Sequence, residues 1–447
     1  MKNNIIIFTT FREASSSYSL NRVVVDQLKM FIAHGYNVKV IVAQGFKANC
    51  KETWYLRPEV ELIEIADVVV QNEISAYERE KNFDQDVQLL TDELRQIIKN
   101  GDVIIAHDIF YQPAAIKHNL AIRNILPELP EVRILNWVHS ASVPFILAQE
   151  RGGGVRYLDL VQKPLPQAFH IAFNPYSIPR VASWFGAELA NVKYVPHPHD
   201  FTEFFHPLAK DITEKLELLQ TDIVCMYPCR LDRGKQPHLV LEIMNQIKQS
   251  GRTIRLIIAD FSSRGGDKVV YRQEMKNMAL DFGWAENELT FLSEFDMPEN
   301  KLREEVPHQV ISNLFELTNV FILPSRSETY SLVAQEAAMK RNLLILNFDF
   351  PPLRSIYGEE ARYFKFSSNI DVNIGQEYHK EAGMETTETN YTDRIQYMRA
   401  IANYICYCQE HTRILAMFNK LKKTKNLSYV FRHHIEPLLF ADKKYNI

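Results

Sequence analysis

The chain has 447 residues, 46% hydrophobic, 24% charged and 11% aromatic, ordinary globular values that exclude disordered, collagenous and coiled-coil classes. At ~100–200 residues per domain, this length implies two or three domains. The formal charge is −4, with 20 Lys and Arg against 22 Asp and Glu in residues 1–200 and 31 against 33 thereafter. Neither part is basic, so a protein held mainly by nucleic-acid phosphates or anionic lipid is not favoured.

Ile5–Thr9 reads as a buried strand, Leu20–His34 as a helix and Asn37–Ala43 as the next strand. The helix carries Val24, Leu28 and Phe31 at helical spacing and stops at Gly35. Strand, helix and strand at this length form a right-handed βαβ unit of a parallel sheet. The pattern recurs with a helix at Asp86–Asn100 and strands at Val103–His107, Ile134–His139 and Ala168–Phe173. Pro196–Asp211, with Pro196, Pro198 and Pro207, reads as an irregular junction. A second series follows. Its expected strands are Asp222–Tyr227, Ile254–Asp260, Leu289–Leu292, Val320–Leu323 and Leu343–Asn347. Its expected helices are His238–Ser250, Tyr271–Phe282, Val310–Leu317 and Ser331–Lys340. The polar stretch 366–394 reads as a long surface segment, Tyr391–Lys425 as helical, and the aromatic tail 430–447 as a segment that docks. The expected fold is α/β, two facing, doubly wound parallel-sheet domains at 1–200 and 201–429, with the tail packing back on the first. Open α/β sheets bind ligands beyond the carboxyl ends of their strands, so the ligand is expected in the cleft between the domains.

The cysteines, Cys50, Cys225, Cys229, Cys406 and Cys408, are odd in number and match no common zinc frame. They read as reduced thiols of a cytoplasmic protein. The opening apolar run is too short for a signal peptide, and no stretch approaches the ~18 apolar residues of a membrane span.

Two constellations carry chemistry. Arg230-Leu231-Asp232-Arg233-Gly234-Lys235 follows one strand and enters a helix. Such a loop is an anion site by geometry, because the helix terminus supplies amides and a positive dipole. Arg230 can then act as a planar fork and Lys235 as a point charge. The second constellation runs from Pro324-Ser325 through Glu328 and Ser331-Leu332-Val333 to Glu336, again between a buried strand and a helix. A carboxylate accepts two hydroxyl hydrogen bonds, which suits the diols of ribose or a sugar. Taken singly, the first also reads as two surface cations at a turn, and the second as an acid near a helix N-cap, Glu328, with a solvated helix residue, Glu336.

Together, at this spacing, they resemble the retaining glycosyltransferases of the GT-B fold, family four, sometimes called glycosyl transferases group 1. That family carries an Arg-x4-Lys pair and, about 90 residues later, a Pro-Ser-x-x-Glu-x7-Glu motif, matched here by Arg230, Lys235, Pro324, Ser325, Glu328 and Glu336. The resemblance is strong over roughly 195–365 and looser before it. It implies that Arg230 and Lys235 bind a donor diphosphate and stabilise the leaving group. Glu336 then takes the ribose hydroxyls, Glu328 the donor sugar, and the amides of Ser331, Leu332 and Val333 face the diphosphate. The strand end at Leu292 and Ser293 seats the base, and Gly265 lies beside the donor. Ser331 stands where the family usually has Gly, which keeps the amide and narrows the space near the donor sugar.

In the N-terminal half the resemblance gives His139 a contact with the donor sugar. His107, Asp108, Arg12 and Ser16, at strand ends, become acceptor-side residues, although the first loop lacks the family's Gly-Gly. The implied reaction is transfer of a sugar from a nucleotide-diphosphate sugar, a UDP-sugar favoured, to a hydroxyl acceptor with retention. In it the departing phosphate takes the acceptor's proton. No cofactor or metal is expected, since two cations and a helix terminus neutralise the diphosphate. The Asp84-Gln85-Asp86 triplet reads as the start of a helix, and His197-Pro198-His199-Asp200 as a hinge. The acceptor stays open among a small sugar or polyol, a lipid-linked glycan and a hydroxylated nucleobase, as does the oligomeric state. Two rivals use the same fold, a nucleotide-sugar epimerase and a non-catalytic nucleotide-sugar-binding protein. A Rossmann dehydrogenase is disfavoured, because no G-x-G-x-x-G follows the first strand.

Overall fold

The computed structural model describes residues 4–15, 18–69, 82–140, 155–260, 266–295, 306–326, 328, 330–366 and 394–440. Ser16, Gly265 and the polar stretch 367–393 lie outside the described residues. The chain divides into two compact units, Met1–Asp200 with Thr424–Ile447, and Phe201–Lys423. The second crossing thus falls after Lys423, and residues 424–429, expected in the C-terminal domain, belong to the first unit.

The first unit is built on a parallel sheet of seven strands. In chain order they are β1 (Ile5–Phe8), β2 (Val38–Ala43), β3 (Val60–Ile65), β4 (Val103–His107), β5 (Arg133–Trp137), β6 (Ala168–Ala172) and β7 (Val192–Tyr194). Their order across the sheet is β3-β2-β1-β4-β5-β6-β7. β1 and β4 are buried along their whole length and pair in register, Ile5 against Val103 and Phe8 against Ala106. A strand covered on both faces needs a continuous apolar run, which is what Ile5-Ile6-Ile7-Phe8 supplies. Alternation still sorts the side chains. Ile6 and Phe8 join one core with Leu90, Leu94 and Ile122. Ile5 and Ile7 join the opposite core with Val24, Leu28 and Phe31 of the helix Ser19–Ala33. Gly35, at φ 73°, turns the chain out of that helix, as the left-handed region favours.

The tail closes the second of these cores. Short helical segments run from Leu427 to Phe440 and bury Val430, Phe431, Ile435, Leu438 and Leu439 against the same face as Phe31. The His34 ring stacks on Phe431 with centroids 3.8 Å apart. Arg133 donates to the Leu439 carbonyl. Where the chain returns, the His199 amide donates to the Lys425 carbonyl at 2.7 Å, and His199 and Asn426 form an isolated parallel bridge.

The second unit has a six-stranded parallel sheet. Its strands are β8 (Ile223–Pro228), β9 (Ile254–Ala259), β10 (Leu289–Phe291), β11 (Val320–Leu323), β12 (Leu343–Asn347) and β13 (Arg362–Phe364), ordered β10-β9-β8-β11-β12-β13. The junction expected to be irregular over Pro196–Asp211 is so only as far as His206. Pro207 opens a helix, Pro207–Lys215, at the first-turn position that lacks a hydrogen-bonding amide in any case. The helical stretch before the tail is two helices, Arg394–His411 and Arg413–Lys425. The five cysteines are unpaired.

Candidate functional site

In each sheet one strand pair marks the point where the winding reverses, β1 beside β4 and β8 beside β11. Loops diverge there and leave a crevice beyond the carboxyl ends. Each unit has a cavity at that place.

In the second unit the cavity has a volume of about 380 Å³ and is lined in part by Lys235, Glu328, Tyr330, Ser331, Leu332 and Val333. Lys235 comes from the loop after β8, which turns through Arg233–Lys235 into the helix Pro237–Gln249. Glu328 and Ser331 come from the loop after β11, which enters the helix Leu332–Met339. The Lys235 ammonium is ion-paired with the Glu328 carboxylate. The first two amides of the second helix, those of Leu332 and Val333, have no acceptor among the described residues, which is the general condition of a helix start. Ser331 sits in the left-handed region at φ 62° and ψ 80°, and its hydroxyl accepts from the Ala334 amide at 3.3 Å. The Tyr357 hydroxyl donates to the Ser331 carbonyl at 2.9 Å and holds that conformation from outside the helix.

The two loops are tied beneath the cavity. The buried Tyr227 phenol donates to the Lys235 carbonyl at 2.9 Å and lies 3.0 Å from Ser325 Oγ. The Arg326 amide donates to the Gly234 carbonyl at 2.8 Å. Burial holds the Tyr227 phenol well above its ordinary pKa, so it remains a donor. Sequence reasoning passed over Tyr227, which reads as one more apolar residue of a central strand. Tyr227→Phe leaves a carbonyl and a hydroxyl short of a partner in the interior. We expect it to cost about 1–3 kcal/mol in urea unfolding of this unit.

The remaining donor-side residues stand apart from this cavity's lining. Arg230 is exposed, its Nε 3.5 Å from Asp232. Glu336 meets His308 Nε2 at 3.1 Å. The Leu292 side chain is in the core. Ser293 has both amide and hydroxyl on the buried Asp260, at 3.1 and 2.7 Å, and Asp260 is in turn paired with Arg272 at 2.6 Å.

In the first unit the cavity at the β1–β4 reversal has a volume of about 360 Å³ and includes Phe11, Arg12, Ser15, Tyr18, His107 and Asp108 in its lining. Arg12 is paired with Asp67 at 2.7 Å. Asp108 is held at φ 61°, its carboxylate accepting from the Tyr111 hydroxyl. The same hydroxyl accepts from the His139 amide at 2.7 Å. Burial raises the Asp108 carboxyl above the usual carboxylate range. His107 Nδ1 lies 2.9 Å from His139 Nε2, and His107 Nε2 lies 2.8 Å from the Gln27 side-chain oxygen. Beyond them, the His197 ring stacks on His139 and Phe173. Burial first, then the His197 imidazole, pushes His139 down to about 3, and burial pushes His197 down to about 4. His107, fully enclosed, falls well below its ordinary value for the same reasons. Two neutral imidazoles in contact share one proton, so one ring donates and the other accepts. His197 belongs to this stack, and Asp200 pairs with Lys29 at 3.3 Å. Of the Asp84-Gln85-Asp86 triplet, in the first turn of the helix Phe83–Ile97, Asp86 pairs with Lys117 at 2.7 Å.

Residues 209–372 match the family described as glycosyl transferases group 1, over a span that includes every residue of the second unit's cavity. The chain carries a glycosyl transferases group 1 domain. Two Rossmann-like parallel-sheet units, the second bearing that domain, are the components of a GT-B glycosyltransferase. No curated protein matches the sequence. Among solved structures, the chain is similar to a glycosyltransferase from Rickettsia africae, at 12% identity over 99% of each chain and a TM-score of 0.35. It is also similar to Anabaena Alr3699/HepE in complex with UDP and glucose, at 14% identity over 97% of this chain and 98% of that one, TM-score 0.32. A third is sucrose-phosphate synthase from Thermosynechococcus elongatus, at 16% identity over 93% and 100%, TM-score 0.33. No helix among the described residues is long and apolar enough to cross a membrane.

Proposed function

We propose that this glycosyltransferase moves a sugar from a nucleotide-diphosphate sugar, UDP-sugars foremost, to a hydroxyl acceptor with retention of configuration, using no metal or cofactor, in the cytoplasm. The observation that carries the donor half is the meeting of Lys235, Glu328 and the amides of Leu332 and Val333 around one cavity at a sheet reversal. A diphosphate there is met by a cation and a helix start, the pairing that stabilises charge as it develops on a leaving group. In this reading Lys235 takes the distal phosphate and Arg230, exposed on the same loop, joins it. Glu328 takes the donor sugar and Glu336 the ribose. Leu292, Ser293 and Gly265 border the base and donor. His139 and His107, with Asp108, Arg12 and Ser16, serve the sugar and the acceptor. With Nε2 against His107, a neutral His139 has Nδ1 left to meet a sugar hydroxyl, as donor or acceptor according to its tautomer. The departing phosphate takes the acceptor's proton, so no side chain is required as general base.

Calorimetric titration with UDP, GDP and ADP in the presence of EDTA tests the donor half. We expect one nucleotide to bind, and Lys235→Ala to weaken it by at least about tenfold, the loss of one charge-assisted hydrogen bond of ~1.5–3 kcal/mol. Binding that needs a divalent ion removes metal independence from the reading. Unchanged binding in Lys235→Ala removes the diphosphate from this cavity.

A further inference from the structure

We infer that Glu328 makes the donor cavity prefer an intact nucleotide sugar over the free nucleoside diphosphate, by acting as the resident counter-ion of Lys235. The inference rests on the reading above and assigns Glu328 a role toward Lys235 in addition to one toward the sugar.

The two side chains reach each other from different loops, and both are mostly enclosed, 26% exposed for Lys235 and 15% for Glu328. The loops that carry them are fixed by Tyr227 and by the Arg326 amide, so the pair is set by the scaffold. The other cation of the Lys235 turn, Arg233, is engaged by Glu274 at 2.8 Å and does not substitute for it.

A diphosphate that draws the Lys235 ammonium onto its own oxygens takes it away from Glu328. The carboxylate is then left largely out of water, without its cation and beside phosphate oxygens of the same sign. Breaking a buried pair in this way is costly because one charge stays uncompensated. An intact donor differs at the end next to the diphosphate, where it carries sugar hydroxyls. Those hydroxyls donate to the released carboxylate, which is an acceptor with room for several hydrogen bonds. The exchange is then complete, with Lys235 on phosphate and Glu328 on sugar. A free nucleoside diphosphate offers only the first half and binds with a stranded carboxylate. The same asymmetry favours release of the nucleotide once the sugar has been transferred.

The test is calorimetry with UDP, GDP, ADP and UDP-glucose on the parent chain and on Glu328→Gln. A thermal melt of the variant confirms that it folds. Glutamine keeps the shape but holds no cation, and its amide can donate to phosphate. We expect the nucleoside diphosphate to bind Glu328→Gln about tenfold more tightly than the parent, the release of one ion pair of ~1.4 kcal/mol, while UDP-glucose gains nothing or binds more weakly. The preference for donor over diphosphate therefore falls. A nucleotide that binds the parent and binds Glu328→Gln equally or more weakly overturns the inference and leaves the donor reading intact. Binding to neither chain overturns the donor reading and this inference with it.

Discussion

A chain ending at Lys423 is expected to lose the fold of its first unit while β8 to β13 keep theirs. The missing residues include Val430, Phe431, Ile435, Leu438 and Leu439, all buried against the helix Ser19–Ala33 and strands β1 and β2. At ~1.5–3 kcal/mol for each fully buried side chain, their removal withdraws on the order of 10 kcal/mol, which equals the whole stability of an ordinary domain. Hydrogen exchange read separately over Ile5–Ala43 and Ile223–Phe321 distinguishes the outcomes. Fast exchange confined to the first span supports the expectation, and unchanged protection there refutes it. The full-length Phe431→Ala chain shows the same effect in miniature, a loss of about 3–5 kcal/mol.

Acid should act on the same unit. His107, His118, His139 and His197 are all held below the ordinary value of 6.5, His118 and His197 to about 4 and His139 to about 3, with burial the first cause in each. The folded unit therefore binds fewer protons than the unfolded chain once pH drops below about 6.5. Their stability contribution is complete above that value and is lost as pH falls toward the folded values. Each imidazole yields at most ~1.4 kcal/mol per pH unit, so four together approach ~5 kcal/mol by pH 5.5. Asp26 and Asp108 are held above 3.8 by burial and oppose the loss as pH falls through their own range. Urea midpoints at pH 7.5, 6.5 and 5.5 check this. The first unit's midpoint should fall steeply between the last two. A flat profile means these rings take up protons without unfolding.

Much of the fold was legible because its central strands announce themselves. Ile5–Phe8, Val103–Ala106 and Val320–Leu323 are unbroken apolar runs, as strands buried on both faces must be. β3, β7 and β13 escaped. β3 interleaves Glu61 and Glu64 with its apolar residues, and β7 and β13 have three residues each, so no periodicity develops. At the candidate site, the approach of Lys235 to Glu328 was implicit in two motifs that both follow strands, but it required β8 and β11 to be neighbours. The histidine contact required still more. β4 and β5 pair with His107 opposite Trp137, and only that register brings His139, two residues on, to His107. A lone sequence carries the residues of such contacts and not the pairing of the strands that deliver them. Arg230 shows the limit from the other side, since a motif names a residue without fixing where an exposed, flexible side chain points.

The bridge between His199 and Asn426 joins the two places where the chain leaves and rejoins the first unit. During synthesis those places are far apart in time. At ~5–20 residues per second, the interval between residue 200 and the tail is on the order of tens of seconds. Through that interval β1, β2 and Phe31 wait with one face uncovered, and the second unit has all its strands made before the first can be finished. The segment that seals this core is therefore made only after the whole second unit, and a chain interrupted between residues 200 and 427 carries a first unit with that face open.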